Sequence, residues 1–143
     1  MISKKAMENG DLLRHLIEHF YEEQSQLNIT ALLTCLRDSD VYVPVNIGEK
    51  EDASGMEMRP DLLISSGELF FPVFSNSDQM GDEYGSRFSK VKMPFLNVII
   101  SAAEDKRVKG IVVDAFTKYF VVGREQFDLV LSLPTNVIDD DSL

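Results

Sequence analysis

Apolar positions in the first third of the chain recur with the 3.6-residue period of a helix. Leu12, Leu13, Leu16, Ile17 and Phe20 fall on one stripe, with Arg14, His15, Glu18 and Glu22 opposite, which predicts an amphipathic helix over 11–21. A second helix is expected from Ser25 to Arg37. There Leu27, Ile29, Ala31, Leu32, Leu33, Cys35 and Leu36 surround most of the circumference, so this helix should be covered on several sides. Asp38, Ser39 and Asp40 break the period. The β-branched run Val41 to Ile47 then predicts a strand, with Pro44 pointing to an edge or strand-end position because it has no amide hydrogen to give a ladder. Gly48 to Arg59 is charged, carries two glycines and has no apolar period, so it reads as a mobile loop.

Leu62 to Ile64 and Leu69 to Phe74 flank Ser65-Ser66-Gly67-Glu68, the pattern of a β-hairpin. Ser75 or Ser77 is placed to cap a short helix over 78–84, kept short by Gly81 and Gly85. Arg87 to Met93 reads as extended, with Pro94 in the first turn of a helix running through Phe95, Leu96, Val98, Ile99 and Ala102. Gly110 to Asp114 and Tyr119 to Val122 form a second predicted hairpin, and a last helix is expected over 124–131. This order predicts an α/β protein of the α+β type: a mixed sheet of about five to six strands with two hairpins, packed by four to five helices. The 143 residues suit one domain, with 1–10 and 138–143 expected as flexible tails, the latter containing Asp139, Asp140 and Asp141.

Composition narrows the function more than the fold. A formal charge of −10, from 14 basic and 24 acidic residues, repels phosphate backbones and anionic membranes, which argues against nucleic acid and membrane partners. No apolar run approaches the length of a bilayer span, and the N-terminus lacks the apolar stretch of a secretory signal, so a cytoplasmic location is expected. Cys35, the only cysteine, lies in the apolar run Ala31 to Leu36 and reads as a small buried hydrophobe.

The pattern nearest to catalytic chemistry is His15-Leu16-Ile17-Glu18-His19, in which two histidines one helical turn apart could hold zinc beside a glutamate, as in a metal-dependent hydrolase. These are the only histidines in the chain, and their ordinary place is the solvated side of the first helix, so no metal and no cofactor is assigned. Ser89-Lys90-Val91-Lys92 spells Ser-x-x-Lys, but that motif works on a helix and the context here is extended. No Gly-x-Ser-x-Gly elbow, Gly-x-Gly-x-x-Gly fingerprint or phosphate loop is present. Two basic groups stand out from the acidic background: Arg87, Lys90 and Lys92, then Lys106, Arg107 and Lys109. Each is read first as the solvated edge of a strand or a helix end, and second as a site for an anion or acidic partner. Phe70, Phe71, Phe74 and Phe88 are core residues unless one sheet face leaves them open, in which case they mark an interface.

Three blocks also carry a resemblance: Val41-Tyr42-Val43-Pro44-Val45, Leu69-Phe70-Phe71-Pro72-Val73-Phe74-Ser75-Asn76, and Gly110-Ile111-Val112-Val113-Asp114-Ala115-Phe116 followed by Arg124-Glu125. In this order the chain resembles the N-terminal domain of the SseB (enhanced serine sensitivity) family over about residues 27 to 133. Ser75-Asn76 stands where that family more often has Thr-Ser, and Ala115 where it often has Pro. The resemblance implies the fold and no reaction, and longer relatives carry a second domain after this one. The expectation is therefore a noncatalytic cytosolic binding or regulatory module, bound to a protein partner or small ligand and open to homodimerisation. Its contacts are placed at Phe70, Phe71, Phe74, Ser75, Asn76, Arg87, Lys90 and Lys92. A small acidic chaperone or immunity-type protein, and a hydrolase using His15, Glu18 and His19, are the alternatives.

Overall fold

The computed structural model describes residues 2–49 and 55–138. It opens with a short strand β1 (Ile2–Ser3), whose Ser3 hydroxyl accepts the Ala6 amide at the head of helical turns over Lys4–Gly10. Helix α1 (Asp11–Glu22) starts at Gly10 in the left-handed region, with Asp11 in the first turn complementing the helix dipole. It buries Leu13 and Ile17. Helix α2 (Gln26–Asp38) is capped by the Ser25 hydroxyl, which accepts the Asn28 amide. It buries Leu32, Leu33, Cys35 and Leu36 against α1 and two later helices. It is thus covered on several sides, as expected, although Leu27 in its first turn is 79% exposed.

Strand β2 (Asp40–Glu49) is the inner strand of a three-stranded antiparallel sheet, between β3 (Met56–Pro60) and β6 (Ser89–Pro94). This corrects two expectations. Pro44 sits in an inner strand, not at an edge or end. The amides of Tyr42 and Phe74 each donate to the other's carbonyl, so even-numbered residues of β2 look away from β6, and Pro44 has no ladder bond to lose on that side. Gly48 to Arg59 is not simply a loop either: Val45 through Glu49 pair with Met56 through Pro60. Cross-strand pairing supplies there what local periodicity lacks.

The second sheet follows the order β4 (Leu63–Ser65), β5 (Glu68–Val73), β7 (Val108–Val113), β8 (Phe120–Gly123), with β5 and β7 parallel and the other pairs antiparallel. The β4–β5 hairpin turns at Ser66 and Gly67, both left-handed, the conformation that matches the twist of the flanking strands. Between β5 and β7 the chain passes through a helical turn (Ser77–Met80), α3 (Asp82–Gly85), β6 and α4 (Phe95–Glu104). The cap of that turn is Asn76, whose side chain accepts the Gln79 amide; neither Ser75 nor Ser77 takes the role. Helix α5 (Phe127–Ser132) and a strand β9 (Val137–Ile138) complete the chain, and β9 pairs in parallel with β1. The α+β class holds, with the strands divided among sheets of two, three and four.

The core joins α1, α2, α4 and α5 to the inner faces of both sheets through residues such as Ile17, Leu36, Val43, Phe95, Ile99, Ile111 and Val130. Helix α4 ends without a glycine, and the Arg124 guanidinium serves instead. It donates to the carbonyls of Ala102, Ala103, Asp105 and Val108, satisfying acceptors that a helix end leaves open. Residues 2–10, taken from the sequence as a flexible tail, form β1 and the turns after it, and Ile138 closes β9. Asp139, Asp140 and Asp141 lie outside the described residues. Among the described residues no helix is long and apolar enough to cross a membrane.

Candidate functional site

The C-terminal end of α2 gathers both termini. Asp38 accepts hydrogen bonds from Arg37 Nη1 (2.9 Å), the Thr135 hydroxyl (2.7 Å) and the Asn136 amide (2.8 Å), while Arg37 Nε donates to the Leu133 carbonyl at 3.0 Å. Asn136 in turn accepts the Ile2 amide, so the β1–β9 pair is hung from α2 as a strap. Opposite the strap lie the loop Ser75 to Asp78 and the adjoining ends of β2 and β6, and an open polar cleft of about 1280 Å³ runs between them. Asn76 links the two walls by donating to the Asn9 carbonyl at 3.4 Å. The cleft carries side chains of both signs, among them Lys4, Lys92, Asp40 and Asp78, and Lys92 Nζ stands 5.8 Å from the centre of the Tyr42 ring.

Beneath this cleft is a buried polar network. Asp114 is fully buried at the end of β7, and its carboxylate accepts the Ser75 amide (2.8 Å), the Ser75 hydroxyl (2.7 Å) and Arg14 Nη1 (2.9 Å). Arg14 also donates to the Lys118 carbonyl at 2.8 Å, so one guanidinium from α1 holds both ends of the β7–β8 connection, while Asp114 carries the link on to Ser75 at the end of β5. Among the described residues no buried side-chain nitrogen or oxygen lacks a partner. The network is thus closed on itself, which is how a buried charge is tolerated.

The predicted contact residues separate into three places. Phe71 and Phe74 are buried and Phe70 half-buried, so the phenylalanines mainly fill the interior. Phe74 packs beside Tyr84 and Phe116, and Tyr84 beside Phe88 at 4.8 Å between ring centres. Tyr84 donates to Asp61 at 2.5 Å; burial, and then that carboxylate, push its hydroxyl well above the ordinary tyrosine range. Ser75 is enclosed with Asp114, while Asn76 and Lys92 line the cleft. Arg87, paired with Glu83 at 3.1 Å, and the exposed Lys90 lie on the outer side of β6 and the turn before it. Sequence reasoning missed Arg14, Tyr42, Arg37 and Asp38 as organisers of this region. The aspartate ending the apolar run Val112-Val113 was the one local signal pointing toward the buried network.

Other patterns fall elsewhere. His15 and His19 stack on α1 with ring centres 6.4 Å apart, and His19 Nδ1 is 3.7 Å from Glu22. Among the described residues no group of three or more His, Cys, Asp or Glu side chains could hold a metal ion. Ser89 and Lys92 are three apart on a strand, hence on opposite faces. Cys35 is buried, and desolvation pushes its thiol up to about 11, with the Ser39 hydrogen bond opposing this. Near the second basic group, the hydrogen bond from Arg107 holds Asp105 down at about 2.

No match is found among curated proteins or among solved structures. The family model for the SseB protein N-terminal domain matches residues 13–126. That span contains Arg14, Ser75 and Asp114 and the Arg124 cap, and the likeness blocks supply Ser75, Asp114 and Arg124, which tie the four-stranded sheet to α1 and α4. The chain belongs to the SseB family, through its N-terminal domain.

Proposed function

We propose that this chain is a noncatalytic, cytosolic binding and regulatory module that holds a polar segment of a protein partner in the cleft between the β1–β9 strap and the Ser75–Asp78 loop. The observation that carries the reading is the cleft itself. It is open, about 1280 Å³ in volume, and lined by side chains of both signs rather than by the apolar walls usual around small-molecule ligands. A polar polypeptide segment suits such a surface.

The groups best able to do acid–base or nucleophilic work support this reading, because each is committed elsewhere. The Asp114 carboxylate is taken up by Ser75 and Arg14, and the Cys35 thiol is buried and protonated near neutral pH. His15 and His19 lie on the outward side of α1, away from the cleft lining. A single unpaired cysteine also fits a reducing compartment.

The test is affinity capture from native lysate with the wild-type chain and with the pair Asp40→Lys and Asp78→Lys, both exposed on the cleft and neither using its carboxylate to hold the fold. Specific proteins recovered by wild type should be lost or strongly reduced with the variant. Equal recovery by the two would remove the cleft from the contact surface.

A further inference from the structure

We propose that the outer edge of β6 is a docking strand for an extended acidic segment of a partner protein, received as an additional antiparallel strand of the β3–β2–β6 sheet. The proposal deepens the binding reading above and rests on it; it concerns the outward hydrogen-bonding edge of β6, whose Lys92 and Pro94 also border the cleft while Lys90 lies outside it.

The phase of the ladder decides which groups are on offer. Tyr42 exchanges both backbone bonds with Phe74, at 2.8 and 2.9 Å, so even-numbered residues of β2 look toward β5 and odd-numbered ones toward β6. The Phe95 amide donating to the Ser39 carbonyl at 2.8 Å has the same phase. With Val41 opposite Met93 and Val43 opposite Val91, the inward-facing residues of β6 are Met93 and Val91. The amides and carbonyls of Lys90 and Lys92 therefore point out of the sheet, and β6 has no partner on that side among the described residues. Pro94, which has no amide hydrogen, falls in the same outward phase and loses nothing.

Side chains then specify the occupant. Lys90 and Lys92 are exposed and share one face of the strand, with Arg87 just before it, while Val91 and Met93 lie half-buried on the other face against the core. An added strand places residues directly opposite these, on the same faces. It should therefore alternate acidic residues, opposite the lysines, with apolar ones that extend the Val91–Met93 face. A second copy of this chain does not meet that pattern: a two-fold pairing of β6 about Val91 sets Lys90 against Lys92 on both sides, and like charges directly opposite are destabilising. Lysines on an edge strand also guard against indiscriminate pairing. The two roles agree, since lysines that repel neutral or basic strands admit an acidic one.

The experiment titrates the full chain into a fluorescein-labelled peptide, Val-Glu-Val-Glu-Val-Glu-Val, and follows anisotropy. Three comparisons accompany it: the Val-Lys-Val-Lys-Val-Lys-Val peptide, the acidic peptide N-methylated at its glutamates, and the chain carrying Lys90→Glu with Lys92→Glu. Saturable binding of the acidic peptide is expected, with affinity falling about tenfold or more on N-methylation and again on charge reversal, and no binding of the lysine peptide. Circular dichroism of the variant checks that these exposed substitutions leave the fold intact. Failure of the acidic peptide to bind, binding indifferent to N-methylation, or self-association through β6 in sedimentation would each overturn the proposal. If the peptide fails while capture from lysate still depends on Asp40 and Asp78, the edge is eliminated and the cleft reading stands.

Discussion

Asp114 takes a left-handed backbone conformation (φ 56°) that residues with a side chain enter only at some cost, and its carboxylate is fully enclosed. The charged bond from Arg14 and the two bonds from Ser75 offset both costs. Removing the carboxylate leaves Arg14, largely enclosed, with only the exposed Glu18 at 3.9 Å as a counter-charge. Asp114→Ala is therefore expected to lower unfolding free energy by about 3 kcal/mol or more, and Ser75→Ala by about 1–2 kcal/mol. Urea unfolding measures both, and a cost for Asp114→Ala no larger than for Ser75→Ala would show that the ion pair adds nothing. Cys35 gives the pH-dependent counterpart. Its thiol is raised from about 9 to about 11 in the folded chain, so the contribution of the buried neutral form is complete below about pH 9 and is lost as pH rises through 11. Iodoacetamide at pH 8 should alkylate Cys35 far more slowly in the native protein than in denaturant, because burial suppresses both access and the thiolate. Equal rates would mean the side chain is open to solvent.

Helix α4 illustrates how an element depends on a residue outside it. Its ends are Pro94, which leads in directly from β6, and a C-terminal turn whose carbonyls converge on Arg124 from the start of the turn before α5. Arg124→Ala should cost about 2 kcal/mol and speed amide hydrogen exchange near the end of α4 and the start of β7. Arg124→Lys should recover little of this, since a point charge cannot replace a planar fork that reaches four carbonyls. Full rescue by lysine would reduce the role to simple charge. The hairpins show the reverse dependence: Ser66-Gly67 and the apolar runs around it suffice to set β4 and β5, and these were legible in the chain. Strand β3 was not legible, because the alternation of Met56 and Met58 with Glu57 and Arg59 spans only five residues, ends in Pro60 and follows a charged, glycine-containing stretch, so it is the pairing with β2 that defines the strand. Beyond Val45 that pair also carries Ile47 opposite Met58, 52% and 57% exposed, past the edge of the core.

At the scale of the whole molecule, the two ends of the described chain close one wall of the cleft. Among the described residues strand β1 is the only strand paired with β9, and Asn9, in the turns that follow β1, is the residue that Asn76 reaches. Deleting residues 1–9 is therefore expected to lower the melting temperature by about 3 °C or more and to abolish hydrogen-exchange protection at Val137 and Ile138. Unchanged protection there would mean that α2 alone holds the C-terminal segment. By itself the sequence determined the helices α1, α2 and α4, both hairpins, the α+β class and the family likeness, because each rests on periodicity, capping or turn residues within a few positions of one another. It also marked Lys90 and Lys92 as a basic island in a chain of charge −10. Only the tertiary structure decided that Pro44 lies in an inner strand, that Phe71 and Phe74 are interior, and that Asp114 meets Arg14 from 100 residues away. It likewise decided that the amides of Lys90 and Lys92 face outward. The physical reason is that burial, ladder phase and ion pairing belong to elements brought together by packing, and local pattern carries no record of which distant residue will fill the other side of a contact.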